Sequence, residues 1–537
     1  MSRLRGRGRA LAFLLVAVMT QGARGAEART PRPRVSRAVS TGDLAVTESG
    51  LVRGVRSGDT FAFRGIPFAA SPVGALRWRP PASLQPWSGV RDAAAFGPRC
   101  PQLDAADNVA GDEDCLTLNV WTPADYSPAS GLPVLVFIHG GGHVQGAASE
   151  QASDGTYLYD GARLATGARA VVVTLQYRLG ALGFVAIPAL GGESPSGVAA
   201  NFGLLDVIAA LQWVSRNVAS FGGDPTRVLA FGESAGAVET CMLVASPLAT
   251  GLFSAALMES GACVASPRSV AEAFGDGFVT AAGCTDAADV PACLRGLPLA
   301  AVVQAVPAHA SVAGRGSGFQ PAVDGLVLPD LPESLLAAGR HNRVPLVVGA
   351  NSDETGRDAP MLASEAEYRA AVLALVGGIQ ALADAVVQRY PVAEYGTPRK
   401  AYVALTSDAK FICTARRAAR AAASGGSRVW RYFFTHALDN GGAVLHSLGA
   451  THGLELAFVF DHLDIAGYTP SAGERALATG IVASWGRLAA NGDPAGPGAS
   501  WPPYDTARDP FQQLEDPLAA GEGVRTAQCD FWDSLAF

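Results

Sequence analysis

The sequence predicts an α/β fold: one large domain in which a mostly parallel central sheet is flanked by helices. Three observations carry this reading. Short, β-branched apolar runs recur over several hundred residues. Segments with helical spacing lie between them. From about Leu44 onward no linker-like break and no internal repeat interrupts the alternation. Apolar runs of that length suit strands buried on both faces, and strand–helix alternation builds a single layered sheet. Length alone also allows two smaller domains.

The chain begins differently. Arg3, Arg5, Arg7 and Arg9 precede the apolar run "ALAFLLVAVM" (Ala10–Met19), and small residues follow from Gly22 to Ala28. Positive charge, a short apolar core and a small-residue exit make a secretory signal over residues 1–26, with cleavage expected between about residues 22 and 28. The run is short for a bilayer span. A retained membrane anchor is the alternative. Residues 27–42, "EARTPRPRVSRAVSTG", read as a flexible mature N-terminus, rich in Arg, Pro and Ser. One folded domain is expected over 43–537, in a secreted or periplasmic protein with no stable membrane span in its mature form.

The strand candidates follow in order. They are "PVLVFI" (Pro133–Ile138), "AVVVTL" (Ala170–Leu175), "RVLAF" (Arg227–Phe231), "VPLVV" (Val344–Val348) and "VWRYFF" (Val429–Phe434). Between them, Val207, Ile208, Leu211, Val214 and Val218 share one face of a helix expected over Asp206–Ser220. The stretch Phe221-Gly222-Gly223-Asp224-Pro225 stops it.

Composition bounds the rest. Of 537 residues, 49% are hydrophobic and 17% charged, which favours a large core over disorder. Net charge is −7 and no dense Lys/Arg stripe occurs in the body of the chain, so nucleic acid is not the expected partner. The eight cysteines fit four bridges in an oxidising compartment, but spacing leaves their pairing open. No Cys-x-x-Cys pair suggests a zinc or thioredoxin site, and neither metal nor organic cofactor is called for.

The chemistry centres on "AFGESAGA" (Ala230–Ala237). A chain with 62 glycines makes Gly-x-Ser-x-Gly weak evidence by itself. Here the strand "RVLAF" runs straight into it, and "AVETCMLVA" behind it can be helical. Strand, tight turn, helix is the setting in which a serine is lifted clear as a nucleophile. Glycines at 232 and 236 remove side chains that would collide where the chain doubles back. A serine hydroxyl needs a base, an acid to orient the base, and N–H donors for the oxyanion. The run Ile138-His139-Gly140-Gly141-Gly142, at the exit of another strand, can turn backbone N–H groups towards a carbonyl. Taken alone, it is also an ordinary glycine-rich strand exit.

On these residues the chain resembles the type-B carboxylesterase/lipase family of the α/β-hydrolase fold, from about Leu44 to about Phe531. Three segments carry the resemblance: "FGGDPTRVLAFGESAG" (Phe221–Gly236), "EDCLTLNVWTP" (Glu113–Pro123) and "FRGIPFA" (Phe63–Ala69). It implies a Ser234–His452–Glu354 triad. The acid comes from "GANSDETG" (Gly349–Gly356), where Asp353 is an equally plausible carboxylate by spacing, and the base from "ATHGLELAFVF" (Ala450–Phe460). Gly141, Gly142 and Ala235 are implied as oxyanion donors. The implied disulfides are Cys100–Cys115, Cys284–Cys293 and Cys413–Cys529; Cys241 and Cys263 either pair or stay as thiols. The implied reaction is hydrolysis of a small-molecule ester through an acyl-enzyme.

Several features qualify the substrate. Cholinesterases, which this chain resembles, place a tryptophan in the first disulfide loop to hold the choline cation; here that loop, "CPQLDAADNVAGDEDC", has no aromatic residue, so the resemblance implies that choline esters are poor candidates. The loop carries Asp104, Asp107, Asp112, Glu113 and Asp114, either a field for cations or a solvated face. His143 stands where the family more often has an aromatic, and either lines the pocket or replaces a packing ring. Ala230 and Gln176 also depart from the family pattern, at positions expected to affect packing. His139 is expected to shape the glycine loop. His309, His341, His436, His446 and His462 read as surface or packing residues. The rival readings are an esterase-like adhesion module and a thioesterase or amidase with the same triad.

Overall fold

The computed structural model describes residues 42–197, 199–314, 316–496 and 501–535. The proposed signal at 1–26 lies outside them, as does all of 27–42 except Gly42. The frame is an eleven-stranded sheet. Its strands in chain order are β1 Val55–Ser57, β2 Thr60–Pro67, β3 Thr117–Pro123, β4 Leu132–Ile138, β5 Val171–Leu175 and β6 Gly223–Glu233. There follow β7 Ala255–Glu259, β8 Leu346–Asn351, β9 Val429–Phe434, β10 Pro510–Leu514 and β11 Ala519–Glu522. The spatial order is β11-β10-β9-β8-β7-β6-β4-β5-β3-β2-β1. Strands β4 to β10 pair in parallel, and antiparallel strands complete both edges.

The helices needed here are α1 Phe202–Asn217, α2 Ala235–Ala245, α3 Pro398–Ser407, α4 Cys413–Ser424, α5 Glu455–Val459 and α6 Ala472–Asn491. A π-helical turn, Asp408–Ile412, joins α3 to α4.

Alternation along the central strands explains the layering. Val134, Val136 and Ile138 of β4 enter one core, with Val207, Leu211 and Val214 of α1 and Met242 of α2. Leu135 and Phe137 enter the other, with Leu477, Ile481 and Trp485 of α6. A continuous apolar run is therefore what a strand covered on both faces requires. Truncating a side chain such as Leu211, fully buried, to alanine costs about 2–5 kcal/mol.

Boundaries differ from the sequence reading where tertiary contacts decide. Helix α1 starts at Phe202 because Asn201, at φ 60, is held by Ala322 and Asp324 through its side chain. The helix ends at Asn217, and Val218–Phe221 continues as a 3-10 turn to Gly222 at φ 82. Strand β6 is longer than "RVLAF", with a register break between Gly223 and Val228. The longest helix among the described residues, α6, opens on a capping box between Ser471 and Glu474 and closes at Gly492 in the left-handed region.

The cysteines are bonded as Cys100–Cys115, Cys241–Cys263, Cys284–Cys293 and Cys413–Cys529. Among the described residues no helix is long and apolar enough to cross a membrane.

What positions the site is the order of β5, β4 and β6. The chain adds β5 on one side of β4 and then returns to add β6 on the other. Such a reversal opens a crevice at the carboxyl ends of the strands. The glycine loop leaves β4 there and Ser234 leaves β6 beside it, with Gly232 paired to Ile138.

Candidate active site

Ser234 has φ 58 and ψ −122, a conformation a serine adopts only when its surroundings enforce it. The surroundings are on both sides. A Cβ at Gly236 would stand 1.9 Å from Ile138 O, and one at Gly232 would stand 2.5 Å from Gly236 O. The first turn of α2 thus meets the ends of β4 and β6 at distances only glycine permits. The serine N–H is held at 2.9 Å by Glu259 O of the neighbouring β7. Helix α2 starts immediately afterwards, its N-terminus aimed at the turn.

The glycine loop is equally constrained. Gly141 has φ 109 and Gly142 φ 61, and a Cβ at Gly141 would lie 2.0 Å from Gln145 O. Among the described residues no acceptor takes the backbone N–H of Gly141, Gly142 or Ala235. His139 anchors the base of the loop. Its ring stacks 4.5 Å from Tyr177, its Nδ1 sits 2.8 Å from Gly140 O, and burial lowers its pKa to about 4, so it stays neutral.

His452 follows β8 and β9 in the chain. Its Nδ1 lies 2.6 Å from Glu354 Oε2, and its N–H bonds to Glu354 O at 3.0 Å. The other Glu354 oxygen accepts from Asn351 N at 2.8 Å, which fixes the fully buried carboxylate. Asp353 points elsewhere, accepting from Ser352 Oγ at 2.6 Å and from Ala450 N at 3.3 Å. Of the two carboxylates that spacing left open, Glu354 is the one at the imidazole.

The remaining imidazole nitrogen, Nε2, stands 3.0 Å from Glu233 Oε1. Among the described residues no hydrogen bond joins it to Ser234 Oγ, though both side chains line one cavity. Serine–histidine contacts are commonly loose without substrate and tighten in the Michaelis complex. Burial works against the imidazolium, but the charges of Glu233 and Glu354 outweigh it and raise the His452 pKa. Phe411 of the π-helical turn packs on the ring, 4.7 Å between centroids.

Behind the imidazole lies a group of buried carboxylates. Glu259 accepts from Trp485 Nε1 at 3.1 Å. Glu455 is held by Asn351 Nδ2 and by Ser260 Oγ at 3.3 Å. Burial drives Glu233, Glu259 and Glu455 above the usual carboxylate range. They therefore retain protons at higher pH than an exposed glutamate, which spares the site several uncompensated charges.

The cavity measures about 1020 Å³. Its floor is Ser234, Glu233, His452 and the loop Gly140–Gly142; its walls include Tyr159, His309, Val312 and Phe411. Arg99 and Arg357 also face it. Two histidines read from sequence as surface or packing residues therefore line the cavity: His462, and His309, which is also bonded to Asp107 at 2.7 Å. The sequence offered no periodic signal for them, because these walls come from loops far apart in the chain. His143 is the reverse case, buried and absent from the lining. The acidic loop divides: Asp104 lines the cavity, whereas Glu113 pairs with Arg77 at 2.6 Å.

Among the described residues one group offers metal-ligating atoms, His436, Asp439 and Glu474, within 4.8 Å of one another. Its carboxylate is engaged structurally. Glu474 accepts from Tyr468 Oη at 2.6 Å, from Asp439 N at 3.1 Å and from Ser471 N at 2.6 Å, closing the cap of α6.

The carboxylesterase family profile matches residues 42–532. The chain belongs to the carboxylesterase family. The family accounts for the α/β-hydrolase fold and makes the protein a carboxylic ester hydrolase acting on small-molecule esters. Among similar proteins is a fumonisin B1 esterase of Sphingopyxis macrogoltabida, 36% identical, covering 89% of this chain and 87% of the relative. A medium-chain fatty acyl-CoA hydrolase precursor of Anas platyrhynchos is 34% identical over 93% of this chain and 94% of its own length. A cocaine esterase of Homo sapiens is 33% identical over 99% and 96%. The three are named for unlike substrates, so family membership leaves the choice of substrate to the cavity walls.

Proposed function

We propose that the protein is an exported serine esterase that works through an acyl-enzyme on Ser234. The observation that carries this reading is the shared cavity: a serine held at φ 58, ψ −122 opens into the same space as His452, whose Nδ1 is 2.6 Å from Glu354. His452 takes the hydroxyl proton as Ser234 Oγ attacks the ester carbonyl carbon. Glu354 keeps the proton of His452 on Nδ1 and steadies the imidazolium. The N–H groups of Gly141, Gly142 and Ala235 receive the oxyanion, where the N-terminus of α2 adds its partial positive charge. The tetrahedral species collapses, and His452 protonates the departing alcohol. Water then attacks the acyl-enzyme by the same sequence in reverse, releasing the acid.

Export is supported by the Arg-rich, apolar start of the chain and by cysteines bonded in four pairs, an arrangement stable in oxidising compartments. N-terminal sequencing of secreted protein should begin between about residues 22 and 28.

Treatment with a fluorophosphonate, followed by peptide mass spectrometry, tests the nucleophile. The label should fall on Ser234, and Ser234→Ala should lose p-nitrophenyl butyrate hydrolysis by a factor of about 10⁴ or more. Labelling of another residue with Ser234→Ala still active would overturn the assignment.

A further inference from the structure

His143 directly follows Gly142, and Glu239 lies one turn into α2 beyond Ala235. The two side chains are 6% and 0% exposed, and His143 Nε2 stands 2.9 Å from Glu239 Oε1. Neither residue lines the cavity. The bond joins two separate pieces of chain, the glycine loop after β4 and the helix after β6.

The rest of the local structure holds the same link. His143 has φ 61, and its carbonyl accepts from Gly180 N at 2.6 Å. Its ring packs 4.4 Å from Phe184. Beside Glu239, Arg178 and Asp206 form a buried ion pair at 2.7 Å, which ties α1 to the chain leading to Gly180. Stability alone does not call for such an arrangement. A well-packed apolar pair in that volume is often equal or better, because burying polar groups is costly. Geometry does call for it. The donors of the loop and the donor of α2 must converge on one oxygen at about 2.7–3.1 Å, although they sit on two separate pieces of chain.

We propose that His143 and Glu239 form a strut that fixes the spacing between the two halves of the oxyanion pocket. They are positioning residues for the reaction, and the proposal rests on Gly141, Gly142 and Ala235 being its donors. Removing the polar link leaves substrate binding in place and impairs the stabilisation of the tetrahedral species.

The test uses the full-length secreted protein with p-nitrophenyl butyrate and an aryl trifluoromethyl ketone, which forms a tetrahedral adduct. Glu239→Leu should lower kcat by about ten- to a hundredfold, the scale of a misplacement near 1 Å, with KM within about twofold. Affinity for the ketone should fall by the same factor as kcat/KM. Glu239→Gln, which keeps a hydrogen-bonding side chain of similar size, should restore most of the rate. The double variant His143→Phe with Glu239→Leu keeps the packing and removes the link; it should regain Tm without regaining kcat. Recovery of kcat together with Tm would overturn the strut and reduce the pair to packing. A loss confined to KM would overturn it as well. Failure of the donor assignment itself reads differently: ketone affinity would then stay at the wild-type value while kcat falls.

Discussion

Glu233→Gln tests how the protein sets the working pH of the base proposed at His452. Three carboxylates raise the His452 pKa: Glu233, 3.0 Å from Nε2, Glu354 on Nδ1, and Glu455. A base acts only when neutral, so the rate should fall with decreasing pH through the His452 pKa. Because that pKa is raised, the acid limb of kcat/KM should lie above the usual imidazole value. The bare attraction across 3.0 Å is about 5 kcal/mol at an effective dielectric near 20. The working value is smaller, because burial keeps Glu233 itself protonated over part of the range. Neighbouring charges of this kind move a titration by about one to three pH units, or about 1.4–4 kcal/mol. Glu233→Gln should therefore shift the acid limb down by about one to three pH units, leaving Ser234 accessible to fluorophosphonate. The assay is kcat/KM for p-nitrophenyl butyrate between pH 4 and 9, normalised to titrated active sites. A limb that stays in place or moves upward would refute the electrostatic argument.

Other outcomes follow from the same geometry. Gly236→Ala puts a methyl 1.9 Å from Ile138 O and should abolish activity and lower Tm by several degrees, measured by calorimetry. Replacing Cys413 and Cys529 by serine opens a bridge across 116 residues and should cost about 4–5 kcal/mol in the chain-entropy model, read from urea unfolding. Lys410 donates to the carbonyls of Ser311, Val312 and Gly314, so Lys410→Ala should free that cavity wall and raise KM several-fold while kcat changes less.

Much of this architecture was legible in the sequence. "PVLVFI" and "VWRYFF" read correctly as strands because both faces are covered, which demands unbroken apolar runs. The turn at Ser234 was legible because close approach of backbones leaves glycine no substitute. Residue-level detail was not. Whether Asp353 or Glu354 faces the imidazole depends on where β8 ends and which carbonyls lie nearby, information that spacing lacks. Glu233 stands inside the serine motif, where the sequence reading gave it no role; an acidic residue between an apolar strand and the serine was the available signal. Glu239 offered a similar one, a charge inside the apolar segment "AVETCMLVA". Tyr159, His309, Phe411 and His462 meet only after folding, so no local pattern could group them.

The near-contact of Gly236 with Ile138 makes the serine turn and the donor loop one mechanical unit. Whatever pries β4 from β6 would disable the proposed attack and the proposed oxyanion support in a single event, so thermal inactivation should be all-or-none at the reacting centre. The loops around the cavity are not clamped in this way. Selectivity can drift there, one wall residue at a time, while the bond-breaking apparatus beneath stays in register.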